Sequence, residues 1–182
     1  MSDRLPGIRP RPSLRRRLDM MARGGFPATT TVLMLLVIDA PLGLPGQAEL
    51  QESVVLASVF FWSLFRPAAM PPPVVFLLGL LTDLLGYAPP GVGVLTLLIT
   101  HGLALLWRRA LVEQGFLLVW LAFVGVIAGA AAMQWAFTSL LMFRLLPPWP
   151  GMFQAMLGAG LYPLLAPLLI RAHHTLAEPD RA

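Results

Sequence analysis

The sequence predicts an all-α, polytopic integral membrane protein: a compact bundle of about six transmembrane helices with both termini in the cytoplasm. Three observations predict it. Of the 182 residues, 57% are hydrophobic and only 12% charged, whereas a soluble domain carries about 25% charged residues. Apolar segments long enough to cross a bilayer fill most of positions 28–170. All thirteen basic residues are arginine, and seven of them, Arg4, Arg9, Arg11, Arg15, Arg16, Arg17 and Arg23, precede residue 24. Ahead of a membrane domain, that bias reads as a cytoplasmic anchor on anionic lipid, and no nucleic-acid partner is expected.

The chain divides into a basic arm over 1–25, a membrane domain over 26–171 and a short cytoplasmic tail over 172–182. In SLRRRLDMMAR, Leu14, Leu18 and Met21 recur at helical spacing between arginines, so the arm forms either a short surface helix or a solvated, disordered segment. No cleaved signal peptide is expected, because the first apolar stretch runs into IDAPLGLPG rather than a small-residue cleavage site. The first span is predicted over 27–45 and is the weakest, interrupted by Asp39 and Pro41. The second covers 49–65 and ends at Arg66-Pro67. The third covers 71–87 and opens on PPP, where proline fits a first helical turn whose N–H groups are unpaired anyway. The fourth covers 92–108 and closes on Trp107-Arg108-Arg109, the fifth covers 115–142, and the sixth covers 151–170 and closes on Arg171. The connections FRPAAMPPP, GYAPPGVG and LLPPWPG carry turn residues. With the N-terminus inside, Arg66, Arg108, Arg109, Arg171 and Arg181 also fall inside and only Arg144 outside, which favours an even number of spans. Trp107, Trp120 and Trp149 lie near predicted ends, as an aromatic belt places them.

The polar residues within these spans are the candidate functional positions. In FLLGLLTDLLG, Gly79, Asp83 and Gly86 share a helix face with Thr82 beside them. Counting from the opening prolines puts Asp83 about ten residues in, roughly 15 Å at the helical rise and near the bilayer middle. Gly93, Thr96 and Thr100 share a face of the fourth span, with His101 adjoining, and the tight turn makes the two spans antiparallel neighbours. Thr96 or His101 is the expected partner of Asp83. As a packing residue, Asp83 is expected to tolerate Asn, since an amide keeps hydrogen bonds of similar shape. A proton-relay, ion-coupling or catalytic role makes Asn the damaging change. Asp39 reads as the cap of a broken helix end or as an interfacial carboxylate. In the fifth span, Gly125 and Gly129 form a GxxxG pair extended by Ala132 and Ala136, a close-packing face within the bundle or toward a partner. In the sixth, Pro163 and Pro167 are expected to kink the helix, with Gly158 and Gly160 marking close packing or a bend.

Several chemistries are not expected. There is no cysteine, so disulfides and thiolate sites are excluded. Asp39 and Asp83 read as the only intramembrane carboxylates, and Asp39 lies too near the edge to join Asp83 as an aspartyl dyad. His101 has no serine in a GxSxG-like setting. His173 and His174 in the tail make no convincing metal site, and no phosphate-binding glycine loop is present. Neither an enzyme nor a cofactor is expected.

The block over 60–98, FFWSLFRP followed by PPPVVFLLGLLTDLLGYAPPGVGVLTLL, resembles the rod-shape-determining protein MreD, especially its proteobacterial form. The likeness rests on the aromatic residues before Arg66-Pro67, the G-x-x-x-D-L core of Gly79, Asp83 and Leu84, and Pro90-Gly91. Length and hydropathy extend it over nearly the whole chain, while Asp39 departs from the family pattern. The resemblance implies a non-enzymatic, multi-pass protein of the bacterial inner membrane. Such a protein would bind the single-span MreC and help connect MreB filaments to the peptidoglycan polymerase RodA and its partner transpeptidase. It also implies a fold similar to the substrate-binding membrane components of vitamin transporters. The competing expectation is a small-molecule or lipid-binding transport component, with a polar cavity lined by Asp83, Thr96, Thr100 and His101.

Overall fold

The computed structural model describes residues 14–40, 45–86 and 89–177, and these form helices and turns without a strand. Six α-helices follow in order: α1 (Leu14–Asp39), α2 (Gln47–Phe65), α3 (Pro72–Leu85), α4 (Val92–Leu111), α5 (Phe116–Leu141) and α6 (Trp149–Ala177), with one 3₁₀ turn at Pro67–Ala69 before α3. Four of them, α2, α4, α5 and the 149–171 part of α6, are long and apolar enough to cross a membrane. The apolar part of α1, Gly24–Asp39, and the whole of α3 are shorter. The expected span limits hold to within a few residues from the second span to the sixth, whose apolar part covers 149–171; the first, expected to reach residue 45, is helical only to Asp39, and both end helices run on beyond their apolar stretch. Residues 14–25 of the arm belong to α1, which passes through Pro27 without breaking. Residues 172–177 of the tail, His173 and His174 included, prolong α6. Helix-favouring alanine, leucine and arginine in these stretches let the helices run on past the apolar limit. The first part of the arm, Pro41 and the last five residues lie outside the described residues.

The core forms around α2. From Ser53 to Leu64 every residue of this helix is buried, because α1, α4 and α6 all pack on it. A helix surrounded on all sides needs no polar face, and SVVLASVFFWSLF has, beside the Trp62 indole, only serines for polar side chains. Those serines face three different neighbours. Ser53 donates to Gln154 O of α6 at 3.1 Å as well as to its own Glu49 O. Ser58 lies 3.9 Å from Met34 Sδ of α1, and Ser63 shares a 2.7 Å hydrogen bond with His101 Nδ1 of α4. Below them, Phe60, Phe123 and Tyr162 join α2, α5 and α6. The last two rings stack with centroids 4.3 Å apart, and Phe60 meets both. Outward-facing positions such as Leu77, Leu84, Leu106, Leu117 and Leu164 are exposed leucines, as lipid-facing surface would be.

Of the two interior prolines of α6, Pro163 and Pro167, the first has a matched donor. Pro163 lacks the N–H that would reach the Ala159 carbonyl one turn earlier, and Trp120 Nε1 of α5 donates to that oxygen at 2.8 Å. Trp120 is therefore a partly buried bracing residue between α5 and α6, where the sequence pattern places it in an interfacial belt. Gly158 does mark a close crossing, since a Cβ there would collide with Ile127 and meet Ser53, while Gly160 faces open space. At the C-terminal end of α1, the Gln47 side chain of α2 donates to Ile38 O and Ala40 O at 2.6 and 2.7 Å, capping the last turn.

Candidate functional site

Asp83 is the most fully bonded polar side chain of the bundle, and its partners are backbone groups. Its Oδ1 accepts from Gly93 N at 2.8 Å, and its Oδ2 from Gly91 N at 2.7 Å and Val94 N at 3.3 Å. These amides open α4, whose first N–H groups have no partner within the helix. A carboxylate there also meets the positive end of the helix macrodipole. Thus Asp83 caps α4 from the neighbouring helix. The surrounding glycines make the approach possible. A Cβ on Gly93 would collide with Asp83 Oδ1, and one on Gly79 would lie 2.6 Å from Val94 Cα. Gly91 holds φ near +97°, a conformation that L side chains rarely adopt.

Three expectations about this region change. Asp83 does not sit at mid-bundle: α3 has only 14 residues, so ten residues in is already its last turn. Thr96 and His101 are not its partners. The Thr96 hydroxyl bonds back to Val92 O at 2.8 Å, and His101 turns to Ser63, with its Nε2 buried and unpartnered among the described residues. Thr82 likewise bonds back within its helix, to Leu78 O, and Gly86 ends α3 with its N–H on Thr82 O. Pro90 is exposed in the turn before Gly91. The residues meant to line one cavity are thus divided among a cap, a pair with α2 and a groove.

That groove lies between α4 and α5. Its volume is about 210 Å³ and its lining includes Thr96, Thr100, Trp107, Gly125, Gly129 and Met133. A Cβ on Gly125 or Gly129 would meet nothing within 4 Å. The GxxxG pair therefore does not serve packing inside the chain; it floors an open channel.

A second polar site was missed in the sequence. The span predicted over 49–65 already contains Glu49 and Glu52, and both lie within α2, a helix long and apolar enough to span a membrane, so Asp39 and Asp83 are not the only carboxylates there. Both glutamates line a cleft of about 210 Å³ together with the polar Gln134, Thr138 and Gln154 and the apolar Leu146 and Pro147, with Trp135 beside them. The Glu52 carboxyl shares this cleft with the side chains of Gln134 and Gln154. Those two are themselves joined, Gln154 Nε2 to Gln134 Oε1 at 3.1 Å, and Gln154 is buried. The available signal was one glutamine in each of two otherwise apolar spans, α5 and α6. The α5–α6 connection closes over this end through Trp135 Nε1 on Leu146 O at 2.9 Å.

Among the described residues, no group of three or more acidic, histidine or cysteine side chains has the geometry to hold a metal ion. Fold and site together define an all-helical chain with four helices able to cross a membrane. Comparison with known proteins finds no family model, curated protein or solved structure that matches this chain.

Proposed function

We propose that this chain is a non-enzymatic scaffold of the bacterial cell-elongation machinery, similar to MreD. In this reading it lies in the inner membrane and binds MreC, and it supports rod shape and lateral peptidoglycan synthesis. MreB and the RodA–transpeptidase synthase are joined to it directly or through MreC. All six helices cross the bilayer, the end bearing Arg66 and Arg108 is cytoplasmic, and the arm adds contact with anionic lipid. α3, about 21 Å long at the helical rise, is short for a hydrocarbon core of about 30 Å, and local thinning of the bilayer accommodates it.

The observation that carries this reading is the open α4–α5 groove. Two glycines at GxxxG spacing face outward with nothing against them, and such a surface lets a partner's transmembrane helix approach backbone to backbone. Three of the residues behind the resemblance, Gly79, Asp83 and Gly91, also have a use that suits a scaffold: together with Gly93 they lock α3 onto α4. Depletion in a rod-shaped host tests the proposal, with rounding of the cells as the expected result. Normal shape with a selective uptake defect would instead favour a ligand-binding transport component. One observation favours that second reading, the Glu49–Glu52 cleft with its two glutamines, which moves the cavity away from Asp83.

A further inference from the structure

The end of the bundle opposite the glutamate cleft holds an open cavity of about 420 Å³, lined by Gly24 of α1, Phe65 and Arg66 at the end of α2, Pro67–Ala69 of the 3₁₀ turn and Arg108 in the last turn of α4. Among the described residues no acidic side chain lines it. Arg108 is held in place by its Nε, which donates to Leu64 O at 2.9 Å, so its position is set by the end of α2. Arg66 is half-buried, and its Nη1 is buried with no hydrogen-bond partner among the described residues. A buried guanidinium N–H without an acceptor costs about as much as a lost charge-assisted hydrogen bond. Two arginines, one from the end of α2 and one from the last turn of α4, thus line a space in which no described residue supplies an anion.

We propose that this cavity binds a phosphate-bearing anion, either the headgroup of an anionic phospholipid or a free phosphate, clamped between Arg66 and Arg108. Guanidinium groups present paired donors that match phosphate oxygens. Apolar Phe65 and Pro67 beside them suit a ligand entering at a membrane interface. The site is a property of the folded chain alone, so it stands or falls independently of the scaffold proposal and of orientation in the membrane.

The test is thermal unfolding of the purified full-length protein in neutral detergent, with phosphatidylglycerol, phosphatidylcholine or inorganic phosphate added, for the wild type and Arg66→Gln. Arg144→Gln, in the exposed α5–α6 connection, is the control. Phosphatidylglycerol should stabilise the wild type and the control, with phosphatidylcholine inert, and Arg66→Gln should bind about fivefold more weakly, as for loss of one basic contact near a surface. Stabilisation by phosphatidylglycerol alone assigns the lipid headgroup, and stabilisation by inorganic phosphate assigns a soluble anion. Should Arg66→Gln fail to accumulate, Arg66→Lys keeps the charge without the paired donors and should bind with intermediate strength. Equal responses of wild type and Arg66 variants to both probes would overturn the proposal and leave the cavity to a partner's carboxylate.

Discussion

At Asp83 the number of accepting atoms matters more than the shape of the group. Both oxygens accept, three N–H groups in all, whereas asparagine offers one oxygen and turns an NH2 toward donors. The tolerance of Asp83→Asn expected from side-chain shape is therefore withdrawn. Asp83→Asn should lower stability by about 1–3 kcal/mol, and Asp83→Leu, which leaves all three amides without an acceptor, by more. Gly93→Ala should do similar harm by displacing the carboxylate, while Gly102→Ala, in open space, should not. Denaturant or thermal unfolding in detergent measures each. A stable Asp83→Asn protein would contradict the capping role. The sequence brought Asp83 to α4 because residue spacing and the short turn did so. It could not name the partner, because backbone amides are present at every position and leave no mark in a side-chain pattern.

Helix limits were legible where an apolar run ends at proline, glycine or arginine, as at Arg66-Pro67 and Gly115. They were illegible at Leu14 and Ala177, where polar but helix-favouring residues carry the helix on. Which face meets which neighbour was harder to read. Gly125–Gly129 and Gly79–Gly93 are equally small, yet only the second pair is pressed against a neighbour, Gly79 against the Val94 backbone and Gly93 against the Asp83 carboxylate. The α5–α6 contact shows why composition is insufficient: Trp120 serves a carbonyl orphaned by Pro163, 43 residues along the chain. Removing the indole donor with Trp120→Phe should cost about 0.5–1.5 kcal/mol. Pro163→Ala restores the helix's own donor and should shrink that loss. A double-mutant cycle on unfolding free energy reads the coupling, and strict additivity would mean that the tryptophan and the proline act separately.

Across the whole molecule, the arginine distribution and the helix order support one orientation. Reporters fused after Arg23 and after Ala182 should both read cytoplasmic, and one inserted at Pro147–Trp149 periplasmic; a periplasmic C-terminus would refute six spans. The scaffold proposal is tested most directly at the α4–α5 groove, by co-purification of MreC with the wild type, Gly129→Leu and Gly102→Leu from gently solubilised membranes at matched levels. An added Cβ at Gly129 meets nothing within 4 Å, so Gly129→Leu should occupy the groove with little change in unfolding while MreC recovery falls about tenfold, the equivalent of 1.4 kcal/mol. The Gly102→Leu protein should retain MreC. Undiminished recovery of MreC with Gly129→Leu, or no recovery even with the wild type, would contradict the groove as the partner site and, in the second case, the scaffold itself.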